Sequence, residues 1–322
     1  MAKKYSVGVD LGGTKTLAAV FDGKYKALGT ARTATEGHRG AKEGLKRVWA
    51  TVEDAMKQAC VELEEVKAFG IGCPGVVDFE KGILREALNL GWRKVRVGEY
   101  LSKRIDRQVC VLNDVDAGTY AEYILGAGRG ARSVLGVFPG TGVGGGFVYE
   151  GKILRGKAAS CMEVGELRML GSTLEGKMNE PVTLEGLCGR FAVAASCATE
   201  AARGNAPSIM ENAGTDIHSI KSGTIKKSID AGERAVLTIM KRSANYLGIG
   251  VSSVIELLAP EVVVLGGGLV EKMPEIYLEG VSSAVRRYGS RALVRDVRFA
   301  AAQMGDLAVA TGAAAYAIDQ DV

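Results

Sequence analysis

The sequence predicts an α/β protein of two lobes that are built on the same plan. A strand, a glycine-rich turn and a second strand occur at residues 7–20, and the same order returns at residues 134–149. Patterns with helical periodicity alternate with strand patterns along the rest of the chain. A length of 322 residues also suits two domains of ordinary size.

The first half of the chain predicts an antiparallel meander followed by alternating helices and strands. Apolar residues at helical spacing, from Leu45 to Ala59, predict a helix over 41–61. A later strand, QVCVL, runs into a helix that begins near Asp114. The predicted strands are 5–10, 16–21, 25–32, 66–72 and 108–112.

The second half repeats the opening strands and adds a long helix. Strand patterns at 133–138 and in GFVYEG flank the second glycine turn, and a helix is predicted over roughly 230–258. Residues 204–228 are polar and are expected to be an irregular surface segment. Two such halves describe the actin-like ATPase (ribonuclease H-like) fold, with the nucleotide between the lobes. The expected lobes are 1–115, joined by a returning Ala-rich helix in 305–322, and 116–304.

Composition excludes several classes of function. The net charge is only +4 with no basic stripe, which argues against nucleic acid, and no apolar run is long enough to cross a membrane. The N-terminus lacks a signal-peptide core, and none of the six cysteines forms a CxxC pair, so we expect a cytoplasmic protein with reduced thiols. Having only two histidines argues against a His-based metal site or a Ser-His-Asp triad.

The first glycine turn, DLGGTK, has the residue types of a phosphate site. Glycines leave backbone N–H groups open to phosphate oxygens, and Asp10 at the strand end can hold magnesium through water. An ordinary hairpin turn would explain the glycine pair equally well. The residues predicted to bind nucleotide here are Asp10, Gly12, Gly13, Thr14 and Lys15.

Two further glycine clusters follow strands. The segment 140–146 has five glycines in seven residues, which favours a phosphate-binding hairpin with Thr141 and Gly142 over a plain bulged turn. It is neither a Walker loop nor a dinucleotide fingerprint. Gly266 and Gly267 follow the strand EVVVL, where bare backbone suits an adenosine, although a simple strand-to-helix turn is the alternative.

Asn113 and Asp114 stand where a strand passes into a helix. Asp is a favoured helix N-cap, and this interpretation needs no chemistry. The functional alternative is that Asp114 accepts the proton of a hydroxyl during phosphoryl transfer, which asks little of its base. The residues themselves do not decide between the two.

Taken together and in this order, the motifs resemble the ROK family of sugar kinases and repressors over nearly the whole chain. DLGGTK is similar to its first phosphate motif, GIGCPGVVD and ALNLGW to its sugar-side segments, and NDVDAGTYAE to its catalytic segment. LGIGVSSVIELLAPEVVVLGGG is similar to the adenosine region. The resemblance implies ATP and Mg²⁺ as cofactors and a homodimer or higher homo-oligomer.

The resemblance also implies residue roles. Asp114 would be the general base, with Asn113 beside it on the sugar hydroxyls. The remaining sugar-binding residues would be Gly75, Asn89, Glu163 and Glu185. Carboxylates suit this work because each can accept hydrogen bonds from two hydroxyls.

The sequence departs from the family pattern after Glu163. The family's Glu-x-Gly-His motif would place its His at position 166, where this chain has Glu166. The cysteine-rich zinc loop that follows in relatives is missing, because GSTLEGKMNEPVT contains no cysteine, so we expect no zinc site. Glu166 either replaces the histidine as an acceptor or faces solvent.

The resemblance therefore predicts an ATP-dependent hexose kinase, with glucose as the leading substrate. Fructose, mannose and an N-acetylhexosamine are alternative substrates. ATP is the expected donor, with polyphosphate and ADP as alternatives. A repressor is disfavoured, since the first glycine turn begins at residue 10 and leaves no room for a DNA-binding domain before it. A non-catalytic actin-like ATPase is the remaining alternative, and the sugar-side segments argue against it.

Overall fold

The computed structural model describes residues 4–157, 159–169 and 182–320. Within them the chain forms fifteen strands and twelve α-helices, joined by turns and short 3₁₀ segments. The strands are β1 (Tyr5–Leu11), β2 (Lys15–Phe21), β3 (Ala27–Ala34), β4 (Val66–Cys73), β5 (Val76–Asp78), β6 (Ile83–Ala87), β7 (Trp92–Val95), β8 (Cys110–Asn113), β9 (Ser133–Pro139), β10 (Val143–Tyr149), β11 (Lys152–Ile153), β12 (Arg168–Met169), β13 (Val182–Thr183), β14 (Val262–Leu265) and β15 (Arg298–Ala301).

The helices lie between or after runs of strands. They are α1 (Ala41–Ala59), α2 (Val97–Ile105), α3 (Asp114–Ile124), α4 (Leu184–Cys188), α5 (Arg190–Ala202), α6 (Pro207–Ala213), α7 (Ser222–Asp230), α8 (Arg234–Leu258), α9 (Gly267–Lys272), α10 (Pro274–Tyr288), α11 (Arg291–Val294) and α12 (Ala308–Asp319). Helices α4 to α8 follow one another directly. No helix in the described ranges is long and apolar enough to span a bilayer.

The chain divides into two compact units. The first contains the residues up to Gly130, the segment Gly146–Cys161 and the residues from Gln303 onward. The second contains Ala131–Gly145 and Met162–Ala302. Strand β10 carries the chain out of the second unit and back into the first.

The first unit is built on a five-stranded sheet of order β3-β2-β1-β4-β8. The meander β1-β2-β3 is antiparallel as predicted, whereas β4 and β8 join it in parallel. Helix α1 covers one face, where Val48 and Val52 pack with Val7 and Val9 in a buried cluster. A small antiparallel sheet, β5-β6-β7, completes this unit.

Glycines let the Ala-rich helix α12 approach the other face of that sheet very closely. A Cβ atom on Gly8 would strike the carbonyl of Ala310, and one on Gly70 would strike the carbonyl of Ala313. Nearly all of α12 from Ala310 to Ala317 is buried. The small side chains of the sequence therefore encode a contact of backbone against backbone.

A buried carboxylate fixes the end of α3 in the same unit. Glu122 is fully buried, and its Oε2 accepts a hydrogen bond from the amide of Ala127 at 2.8 Å. Its Oε1 accepts from the amides of Gln303 and Met304 at 2.7 and 2.8 Å. One side chain thus satisfies three backbone donors from two distant stretches of chain.

The second unit places β14 in parallel between β9 and β15, with β10 on the far side of β9. The long helix α8 confirms the predicted helix, although it begins at Arg234. The expectation of an irregular segment over 204–228 is wrong, because α6 lies within that segment and α7 begins there. Ile209 and Ile225 are fully buried, so a few apolar residues in polar sequence are sufficient to anchor both helices.

Candidate active site

Three parallel strands of the first unit end at one edge and bring candidate residues together. In the register of the sheet, Asp10 at the end of β1 pairs with Gly72 of β4. Cys73, the next residue of β4, pairs with Asn113 at the end of β8. Carboxyl ends of neighbouring parallel strands meet at a common edge, so Asp10 and the Asn113–Asp114 pair share it.

The cap of α3 is Asn113 rather than Asp114. The Asn113 Oδ1 accepts hydrogen bonds from the amides of Val115 and Asp116 at 2.8 and 3.1 Å. Its Nδ2 donates to the carbonyl of Gly75 at 3.0 Å. The capping explanation for Asp114 is therefore wrong, because the preceding residue performs that task.

Asp114 is the first residue of α3 and is partly exposed. Its Oδ1 accepts a hydrogen bond from the amide of Val115 at 2.9 Å. The helix N-terminus favours negative charge at this position. A partly exposed carboxylate at a strand edge can accept a proton from a hydroxyl group.

Asp10 has a strongly altered acidity. Burial, followed by the negative charges of Asp114 and Asp306, raises its pKa to about 7, against a smaller opposing effect of Arg32. A partly buried carboxylate near a second carboxylate is stabilised by a cation, and oxygen donors are those that Mg²⁺ prefers. The residues present therefore fit magnesium, with Asp10 as the residue that would hold it.

The first glycine turn, Gly12–Thr14 between β1 and β2, is closed by its own backbone. The amide of Gly12 donates to the carbonyl of Lys15 at 3.0 Å, and the buried Thr35 hydroxyl donates to the carbonyl of Gly12 at 2.7 Å. A Cβ atom on Gly12 would lie 2.7 Å from the Lys15 carbonyl oxygen. The side chains of Thr14 and Lys15 are exposed and open to a ligand.

Two sugar-side candidates lie in the same unit. Gly75 has φ +79°, and a Cβ atom there would strike the carbonyl of Glu86, so the position requires glycine. Asn89 lies between β6 and β7, and its amide nitrogen would be 2.9 Å from a Cβ atom on Gly13. The Asn89 side chain therefore lies against the first glycine turn.

The second unit has a glycine edge of its own. Gly140, Thr141 and Gly142 connect β9 to β10, and the amide of Gly140 donates to the carbonyl of Gly142 at 2.8 Å. Gly267 has φ +79°, and a Cβ atom there would lie 2.9 Å from the carbonyl oxygen of Pro139. Gly266 lies against Phe138 in the same way, so both predicted nucleotide-binding clusters of this unit meet at the end of β9.

Glu185 holds the second glycine turn. Its Oε2 accepts a hydrogen bond from the amide of Val143 at 2.9 Å, and a Cβ atom on Gly142 would strike the same oxygen. The amide of Arg190 donates to the carbonyl of Gly140 at 3.0 Å, and its guanidinium approaches the Thr141 hydroxyl at 3.5 Å. The carboxylate that is predicted to bind sugar thus has one oxygen on the second glycine turn.

Glu163 lies near Glu185 in this unit. Partial burial, then the charges of Glu166 and Glu185, raises the pKa of Glu163 above its ordinary value. The amide of Leu184 also donates to the carbonyl of Leu167 at 2.9 Å, which ties α4 to the segment that carries Glu163. The second unit therefore brings Glu163, Glu185 and the second turn together.

Comparison with known proteins identifies the family. The sequence model of the ROK family matches residues 6–320. The chain belongs to the ROK family.

Individual relatives are similar to this chain over most of their length. The glucokinase of Streptomyces coelicolor is 28% identical over 98% of both chains. The N-acetyl-D-glucosamine kinase of Haemophilus influenzae is 28% identical over 81% of this chain and 83% of its own. A ROK family glucokinase from Streptomyces griseus, solved with glucose and AMPPNP, superposes with a TM-score of 0.82 at 27% identity, over 98% of this chain and 99% of its own. The predicted α/β actin-like ATPase fold is confirmed.

The region where the sequence departs from the ROK pattern is only partly among the described residues. Glu166 is exposed and lies 3.6 Å from the guanidinium of Arg168, so it faces solvent in an ion pair. The segment where the family's zinc loop would stand, 170–181, lies outside the described residues. Across the residues that the structure does describe, no three His, Cys, Asp or Glu side chains group as metal ligands.

Three residues that support the glycine turns or act on Asp10 are not evident from the sequence. Thr35 supports the first turn from the end of β3, Asp306 acts on Asp10 from the return of the chain, and Arg190 supports the second turn. Thr35 and Asp306 lie outside the motifs, and only the fold brings them near. Arg190 ends the TLEGLCGR segment, so its place in a motif was the one available signal.

Proposed function

We propose that this chain is an ATP-dependent hexose kinase that converts glucose to glucose 6-phosphate, with Asp114 as the general base. The observation that carries the proposal is the position of Asp114. It follows a separate cap, is partly exposed, and lies at the strand edge that also carries Asp10. Membership of the ROK family and the glucokinase relatives support the same conclusion.

In this proposal Asp114 orients the sugar 6-hydroxyl and accepts its proton late in the transfer. The transition state of phosphoryl transfer is loose, so positioning and electrostatics contribute more than the strength of the base. The side chain of Asn113 and the backbone of Gly75, which are joined by a hydrogen bond, would lie beside that hydroxyl. Asn89 contributes a further amide to the sugar.

The phosphates would be bound by backbone amides and by the Thr14 and Thr141 side chains. Magnesium, held at Asp10 through water, would neutralise the charge of the phosphates. Gly266 and Gly267 would take the adenosine, and Lys15 adds a positive charge near the first turn. Glu163 and Glu185 would accept hydrogen bonds from sugar hydroxyls.

Asp114→Asn is the direct test. Asparagine keeps the shape of the side chain but cannot take the proton, and general-base catalysis contributes roughly 10²–10⁴-fold. We expect kcat for glucose to fall by that factor, with the affinity for AMPPNP within about twofold of the wild type. Asp54→Asn is the matched control, because it makes the same substitution at an exposed residue of α1. This variant should leave kcat unchanged.

A coupled ADP-release assay over a panel of hexoses and amino sugars measures both variants. Retention of wild-type kcat in Asp114→Asn would remove Asp114 from its role. A wild-type rate that is the same with every sugar and without sugar would instead indicate an ATPase that is not a sugar kinase.

A different hexose is the second candidate, and Glu166 favours it. The family's histidine position is taken by an exposed carboxylate paired with Arg168, so the sugar contact expected there is altered. The N-acetyl-D-glucosamine kinase relative shows that similar chains act on different sugars. A larger kcat/KM for N-acetylglucosamine, mannose or fructose than for glucose would establish this alternative.

A further inference from the structure

A cleft lined by arginines lies between α5 and α8, wholly within the second unit. Its volume is about 490 Å³, which is within the range of small-molecule sites. Arg203 at the end of α5 and Arg234 and Arg242 on α8 line it. None of the residues proposed above for sugar, nucleotide or magnesium takes part in this α5–α8 cleft.

Helical spacing creates the cleft. Residues three or four apart lie on one face of a helix, so each helix presents one polar stripe. The stripes are Arg234, Thr238 and Arg242 on α8, and Ser196, Thr199 and Arg203 on α5. Side chains from the two stripes meet, because Arg242 donates to the Ser196 hydroxyl at 3.5 Å.

Positive charge in the cleft is only partly compensated. Glu200 is its one lining carboxylate, and hydrogen bonds from Asn205 and Arg203, at 2.7 and 2.9 Å, lower its pKa. The Arg203 charge is thereby paired. Arg234 forms no ion pair within the described part of the chain. Arg242 forms no hydrogen bond with Glu200, and its charge makes only a small contribution to lowering the pKa of that carboxyl.

The length of the stripe indicates the kind of ligand. Arg234 and Arg242 are eight residues apart on α8, which is about 12 Å along the helix axis. A single phosphate can engage one of these guanidinium groups, whereas a molecule with two separated phosphoryl groups can engage both, and arginine binds phosphoryl oxygens bidentately. The hydroxyls of Thr199 and Thr238 lie along the same cleft. Each donates to a backbone carbonyl of its own helix, at 3.0 and 2.8 Å, so its oxygen can still accept a hydrogen bond from a hydroxyl of a sugar-like ligand.

We propose that the α5–α8 cleft is a second binding site, for a small sugar-like molecule that carries two phosphoryl groups. Arg234 and Arg242 supply the affinity, and their separation selects two phosphoryl groups over one. The site uses none of the catalytic candidates, so it stands whether or not the chain proves to be a hexose kinase.

Isothermal titration with fructose 1,6-bisphosphate as the probe tests the site. AMPPNP and magnesium are present throughout, so that the glycine turns are occupied. The Arg234→Ala/Arg242→Ala double variant should bind the probe at least tenfold more weakly than the wild type. Inorganic phosphate should also bind the wild type at least tenfold more weakly than the bisphosphate.

Lys241→Ala is the matched control. Lys241 is an exposed cation next to Arg242 on α8, but it does not line the cleft, so its removal should change affinity less than twofold. The proposal is overturned if the wild type does not bind the bisphosphate, or if the double variant binds it as tightly as the wild type. It is also overturned if Lys241→Ala loses as much affinity as Arg234→Ala alone. Thermal unfolding of each variant verifies that the fold is kept.

Discussion

The two glycine turns differ in what holds them. The first, Gly12–Thr14, is closed by its own backbone and by the buried hydroxyl of Thr35, and its neighbouring carboxylate, Asp10, is left with a raised pKa. The second turn, at Gly140–Gly142, depends on a distant carboxylate, because Glu185 accepts the amide of Val143. The first turn is held by its own backbone and by a threonine 23 residues later in the chain, whereas the second is held by a helix some forty residues later.

Gly12→Ala should give the largest effect and separates the turns most directly. The new Cβ atom would meet the Lys15 carbonyl at 2.7 Å, and a backbone obstacle cannot rotate away. We expect AMPPNP affinity to fall by at least a hundredfold, measured by calorimetry.

The matching change in the second turn should behave differently. In Gly142→Ala the obstacle is the Glu185 side chain, so the double variant Gly142→Ala/Glu185→Ala should bind AMPPNP more tightly than Gly142→Ala alone. No recovery in the double variant would show that the second turn, like the first, is limited by its backbone.

Glu185→Gln should have an intermediate effect on nucleotide binding, through the second turn. A hydrogen bond to a charged acceptor contributes about 1.5–3 kcal/mol, and the amide keeps only a neutral oxygen for Val143. We expect the KM for ATP to rise about tenfold, in steady-state kinetics at saturating sugar.

Glu211→Gln on α6 makes the same chemical change on an exposed surface and should match the wild type. An unchanged KM for ATP in Glu185→Gln would mean that the Val143 contact does not shape nucleotide binding.

Asp10 should give the smallest effect, seen as a pH dependence of stability. The pKa of Asp10 is about 7 in the folded protein and near 3.8 in the unfolded chain. Between these values the folded state binds one proton more than the unfolded state, so the stability of the wild type falls as pH rises from about 4 to 7. Without magnesium, Asp10→Asn should therefore be more stable than the wild type at pH 8, by on the order of 2 kcal/mol, and equal to it near pH 4.

Chemical unfolding at both pH values, with and without magnesium, measures this difference. Magnesium should stabilise the wild type at pH 8 and leave Asp10→Asn unaffected. A variant that is less stable than the wild type at pH 8 without the ion would contradict the raised pKa.

Sequence predicted the architecture well because its signals are local. Strand–glycine–strand patterns, the helical spacing around Val48 and the long α8 pattern are each contained in one segment of chain. Residues 204–228 escape prediction because few apolar residues there reach the core, so a polar composition hides the helical spacing. At the start of α3 the sequence offers two adjacent residues with suitable capping chemistry, Asn113 and Asp114, and does not decide between them.

The candidate site was less accessible to sequence than the fold. Motifs indicate Asp114, Asp10 and Glu185, but the charge of Asp306 on Asp10 and the support of Thr35 arise from residues that only the folded chain brings close. The hydrogen bond between Glu185 and Val143 belongs to the same class, since periodicity carries no information on contacts between separate segments.

The packing of α12 has a consequence for biosynthesis. This helix closes one face of the β1–β4 sheet, yet its residues are translated after those of the whole second unit. On the ribosome, the first strands therefore emerge long before the helix that covers them, and one apolar face of the sheet stays uncovered until the second unit has been synthesised. The first unit gains its covering helix only when α12 leaves the exit tunnel.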